Sequence, residues 1–143
     1  MAKPQSDNDS VYLLMAYDAD PETEIYAVSQ LSVSQRKQVR VITAGPTEAF
    51  SGAIGINLAF STDDKTIYYP TKSAETVELG GLSALDLASG KISTLVSFKT
   101  PTTVIDLIAL DGILLYSNSK KGNTPGLVDL NAGTVDFIEI PSN

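Results

Sequence analysis

Leu58-Ala59-Phe60-Ser61-Thr62-Asp63-Asp64-Lys65-Thr66-Ile67-Tyr68-Tyr69, with its continuation Leu85-Asp86-Leu87-Ala88-Ser89-Gly90-Lys91-Ile92, decides the fold class of this chain. An apolar strand runs into an acidic turn and leaves it as an aromatic, β-branched strand. The continuation alternates apolar and polar residues through Leu85-Asp86-Leu87 and then reaches a glycine turn. Alternation of period two marks a half-buried strand, and it places Leu85 and Leu87 on one face with Asp86 on the other. Gly90 supplies the positive φ that a tight hairpin turn requires.

The same order of features returns further along. Leu107-Ile108-Ala109-Leu110 meets Asp111-Gly112, then Ile113-Leu114-Leu115-Tyr116, and later Val128-Asp129-Leu130-Asn131-Ala132-Gly133-Thr134-Val135. Asp86 to Asp129 and Gly90 to Gly133 are each 43 positions apart, inside the ~40–45 residues of a four-stranded propeller blade. The first third of the chain fits the last three strands of such a unit more loosely. Val11-Tyr12-Leu13-Leu14-Met15-Ala16-Tyr17, Glu24 to Leu31 and Gln38-Val39-Arg40-Val41-Ile42-Thr43 read as strands. About eleven strands are expected in all. Pro70 is expected to end one of them, and Val33 to Lys37 and Thr71 to Leu79 lack strand character.

The stretch from Ala59 to Tyr68 resembles the signature of the WD40-like propeller repeats found in TolB, the prolyl oligopeptidase propeller and YncE-like or lactonase-like propellers. Leu85 to Lys91 resembles the third strand and turn of the same repeats. Thr62 stands where the family has proline and Asp64 where it has glycine. Asp64 still tolerates a left-handed turn. The resemblance implies an all-β chain of antiparallel, four-stranded, blade-like units at about 11–45, 54–100 and 103–141; the polar residues 1–10 are expected to form a disordered leader. A closed propeller needs at least ~4 blades, and 143 residues hold about three. Chains therefore associate, or this is a segment of a larger propeller, or the strands close as a compact sandwich or barrel.

Composition narrows the function. The chain has a formal net charge of -7 and no histidine, cysteine or tryptophan. A Ser-His-Asp triad, a thiolate nucleophile and a zinc-thiolate site are impossible within it. An acidic surface repels phosphate backbones, so no nucleic-acid partner is expected. The polar start, Met1 to Ser10, has no apolar core of a signal peptide, and no apolar run reaches the ~18 residues of a membrane span. The compartment stays open. No cofactor is expected, since neither a Walker nor a dinucleotide glycine pattern is present.

Candidate chemistry is thin. Asp63-Asp64 could pair carboxylates, but adjacent acids in a turn serve local hydrogen bonds. Asp18-Ala19-Asp20-Pro21-Glu22-Thr23-Glu24 is oxygen-rich, yet it lacks the glycine and spaced glutamate of a calcium loop. Gly81 to Leu85 lacks the second glycine of a nucleophile elbow. The basic clusters, Arg36-Lys37 with Arg40 and Lys120-Lys121, read as loop charge or edge protection. Asn8-Asp9-Ser10 matches a glycosylation sequon. Tyr68, Tyr69 and Tyr116 sit at matching places in the repeats. Each joins apolar area to a polar tip, so they are the candidate ligand-binding residues, with blade packing as the competing role. No catalytic or metal residue is assigned. The expectation is a non-catalytic binding module that assembles with itself or a partner protein. The alternatives are a fragment of a larger propeller protein and a carboxylate-dependent hydrolase or lyase formed on an assembled ring, whose two acids would have to lie ~5–9.5 Å apart.

Overall fold

The structure is a computed structural model that describes residues 7–18, 25–46, 58–72, 79–102, 104–118 and 125–138. Among the described residues all regular structure is strand. The strands are β1 (Ser10–Asp18), β2 (Ile25–Ser32), β3 (Lys37–Pro46), β4 (Ala59–Phe60), β5 (Thr66–Lys72), β6 (Leu79–Asp86), β7 (Ile92–Thr102), β8 (Val104–Leu110), β9 (Ile113–Asn118), β10 (Gly126–Asp129) and β11 (Thr134–Phe137). They form three antiparallel sheets, ordered β1-β2-β3, β4-β5-β6-β7 and β8-β9-β10-β11. Each sheet is a meander of sequence neighbours, the arrangement of a propeller blade.

Period-two alternation turns the middle sheet into a two-sided object. Along β5, Ile67 and Tyr69 point one way and Tyr68 the other; along β6, Leu85 opposes Leu82 and Ala84. Ile67, Tyr69, Leu85 and Leu87 join Tyr12 and Val28 of the first sheet in one core, with Leu14, Ile42 and Ile92 packed against it. Tyr68, Leu82 and Ala59 join Leu107, Leu114, Tyr116 and Val128 of the third sheet in a second core. Leu82, Leu85, Ile67 and Leu114 are all 0% exposed. Rings reinforce both seams. Tyr12 meets Phe60 edge-on at 5.2 Å, and Phe98 lies 5.3 Å from Tyr116.

The repeat extends to its turns. The Leu87 amide donates to the Lys65 carbonyl and the Leu130 amide to that of Gly112, both at 2.9 Å. The Gly90 amide donates to the Asp86 carbonyl and the Gly133 amide to that of Asp129. Gly90 and Gly133 have φ of 72° and 66°, and Asp64 takes 56° where the resembling repeats have glycine. Gly90 also comes close to the Ile42 carbonyl, where a Cβ would intrude on the first sheet.

Two strand boundaries differ from expectation. Pro70 lies inside β5, opposite Leu82, and the strand runs on to Lys72. Proline has no N–H for a ladder and is tolerated where a strand has a neighbour on one side. β4 pairs only with Ile67 and Tyr68, so at Pro70 the described neighbour is β6 alone. The β6 strand starts earlier than its alternation suggests, at Leu79, with a register shift between Leu79 and Gly81. The shift falls at the glycine pair Gly80-Gly81, which is read from the sequence as the opening of a strand.

Candidate functional site

Three turn carboxylates, those of Asp63, Asp86 and Asp129, accept backbone hydrogen bonds. Asp86 accepts from the Ser89 amide at 2.7 Å and from its hydroxyl at 2.6 Å. Asp129 accepts from the amides of Asn131 and Ala132, the corresponding turn of the next sheet. Asp63 accepts from the Ser61 hydroxyl and the Lys65 amide, and its exposed ion pair with Lys65 spans 3.7 Å. Asp7 and Asp9 organise the entry to β1: Asp9 accepts from the Ser32 hydroxyl and the Ser34 amide, both at 2.7 Å.

For Asp86, Asp63 and Asp9 these bonds favour the charged form. The Ser89 hydroxyl and amide hold Asp86 below the usual carboxylate range, and the Ser61 hydroxyl with the Lys65 amide does the same for Asp63. Asp9 is lowered by Ser32 and Ser34. A general acid needs the opposite shift. Among the described residues no three acids gather into a potential metal-binding group. The 19–24 stretch of the acidic segment and the Lys120-Lys121 cluster lie outside the described residues.

The three candidate tyrosines occupy the seams between sheets. Tyr69 is buried in the first core, and Tyr68 and Tyr116 are buried in the second. Burial pushes the Tyr69 phenol up to about 12 and raises those of Tyr68 and Tyr116. Tyr116 lies over Gly126, its cross-strand partner, where a Cβ would enter the ring. Ser83 is also buried. Arg40, from the basic cluster of the first sheet, bonds Gln30 at 3.0 Å and reaches the Leu87 carbonyl at 3.3 Å, tying the first sheet to the second.

What the periodicity reading missed is at the two ends of the stack. The far face of the third sheet carries Ile108 and Leu110, 54% and 47% exposed, beside the half-buried Ile113, Leu115 and Leu127. Register aligns them in rows, since Leu115 pairs with both Ile108 and Leu127. The far face of the first sheet carries Val41, 37% exposed, with the half-buried Val11, Leu13 and Leu31, and Val39 is exposed beside it. Ala27 and Ser29, small residues at its centre, are fully buried. The continuous apolar character of β8 and β9 was the available signal: a strand with one wet face alternates, and these do not.

No helix among the described residues is long and apolar enough to cross a membrane. No protein-family model matches the chain, and no curated protein matches it. Solved structures do. The crystal structure of TolB from Acinetobacter baumannii is similar over 92% of this chain with a TM-score of 0.63 and 12% sequence identity. This chain spans 30% of that one. At such identity the likeness concerns the fold, and with the three meander sheets it makes this chain an all-β assembly of propeller-like blades.

Proposed function

We propose that this chain is a non-catalytic interaction module, a partial β-propeller whose end blades take a protein partner, either another copy or a different chain. One observation carries the reading. The middle sheet contributes to a core on both faces, whereas each outer sheet keeps apolar residues outside both cores, with Ile108 and Leu110 exposed on the third and Val41 on the first. Blade-like sheets gain stability by stacking on neighbours, and contiguous exposed apolar surface marks interaction sites. Within this reading Tyr68, Tyr69 and Tyr116 pack the seams, and a small ligand can reach them only by prising neighbouring sheets apart.

A second reading is that the chain forms a segment of a larger propeller protein, with the end faces covered by further blades. Its coverage of 30% of the TolB chain favours this. The carboxylate-dependent hydrolase ranks below both, because Asp63, Asp86 and Asp129 act as turn acceptors.

Light scattering over a concentration series, read together with binding of a neutral solvatochromic dye, tests the module. Association, or dye bound by a monomer, supports open apolar faces. A monomer that binds no dye has covered both faces with its own chain and refutes the reading.

A further inference from the structure

We infer that the partner is a second copy of this chain, docked head to tail, so that two chains close one ring of six blades. The inference rests on the interaction-module reading and names its partner.

Each sheet has a face toward the preceding sheet and a face toward the following one. On the second sheet, Ile67, Tyr69 and Leu85 look back at the first, and Tyr68 and Leu82 look forward to the third. On the third sheet, Leu114, Tyr116 and Val128 look back. Val128 pairs with Leu114 as Leu85 pairs with Ile67, so these faces are equivalent across the repeat. The open face of the third sheet, with Ile108, Leu110 and Leu115, is therefore a forward face. The first sheet spends its forward face, Tyr12 and Val28, on the second. Its open face, with Leu13, Leu31 and Val41, looks back.

Both internal seams join a forward face to a backward face, and a third seam of the same kind needs one of each. The chain has one of each left, at opposite ends of a three-sheet stack. A second copy presents both. Head-to-tail contacts of this type close into rings when the rotation permits. Propellers typically have ~4–8 blades. Chains of three blades reach that range as two copies, whereas three copies overshoot it.

Charge disfavours a like-with-like contact. The third sheet carries Asp106, Asp111, Asp129 and Asp136, and no lysine or arginine side chain among its described residues. Contact between two third sheets would bring carboxylates to carboxylates.

Two substitutions test the direction, measured by light scattering behind size exclusion. Ile108→Asp alters only the forward face and Val41→Asp only the backward face. Both sites are solvent-exposed, so far-UV circular dichroism should be unchanged. Leu110→Asp and Val39→Asp serve as a second pair if either variant fails to fold. Wild type is expected at twice 15.2 kDa. Each single variant is expected at 15.2 kDa, its association weakened roughly 100-fold or more by a carboxylate buried in an apolar seam. Dissociation by only one of the two substitutions means a like-with-like contact and overturns the inference. So does a wild-type monomer, and there the dye separates two cases. A dye-binding monomer leaves the module reading standing with a different protein as partner; a monomer that binds no dye overturns both.

Discussion

Leu82 and Leu85 lie three residues apart on β6, and both are 0% exposed, yet they serve different cores. A strand in a two-layer sandwich buries one face; only a strand with a sheet on either side buries both. Replacing either leucine by alanine removes buried carbon and leaves a cavity that the flanking sheets fill only incompletely, at a cost of about 2–5 kcal/mol each. Against the roughly 5–15 kcal/mol that holds a domain folded, that is a large fraction. It should lower the thermal midpoint by several degrees, at roughly 2–8 °C per kcal/mol for domains around this size. Ile108→Ala is the control: it removes a similar side chain from a 54%-exposed position, and under conditions where the chain is monomeric it should cost less than about 1 kcal/mol. Urea denaturation followed by circular dichroism, fitted with a common slope, gives the three values. If Leu82→Ala or Leu85→Ala proves as mild as the control, one face of β6 is not in a core and the three-sheet stack is wrong.

Three further outcomes follow from the same packing. Gly126→Ala sets a methyl group against the Tyr116 ring and should destabilise by about 1–3 kcal/mol; a neutral effect in the same urea assay would mean that this ring is not seated over β10. Alkaline titration should unfold the chain. Tyr69 holds its proton to about 12 when folded, against 10.0 when free, so the stability it contributes is complete below pH 10.0 and is lost as pH rises toward 12; Tyr69→Phe should flatten that loss, seen as thermal midpoint against pH. In acid the sign is reversed. Asp86 has a folded value below its ordinary 3.8, so its contribution is complete above that value and is lost as pH falls through the lowered one. Asp86→Asn should reduce the acid sensitivity of the midpoint without removing it, because Asp7, Asp9 and Asp63 are lowered as well.

The blades were legible because their signals are local. Leu85-Asp86-Leu87 shows its alternation within three residues, and Gly90, Gly112 and Gly133 mark turns that demand positive φ. Asp86 and Asp129 betrayed the repeat because each is required by the same hydrogen-bonded turn. What could not be read locally was which neighbour each face meets. Tyr68 and Tyr69 are adjacent in sequence and similar in chemistry, yet they belong to different cores, since orientation in a sheet becomes a contact only when the stacking order is known. Pro70 was misplaced for a related reason: a proline disrupts a strand according to which side is paired, and pairing is a tertiary fact. The candidate site was less legible than the fold. Turn carboxylates and repeat tyrosines attract notice in a sequence because of their type, whereas the open faces are made of ordinary leucine, isoleucine and valine. Only their exposure distinguishes them.

The solution mass of the unmodified chain, by light scattering behind size exclusion, tests most directly whether its end blades stack on a second copy. The account predicts one species of fixed size at twice 15.2 kDa, stable on dilution through the micromolar range. A species at 15.2 kDa, unchanged with concentration, would contradict it.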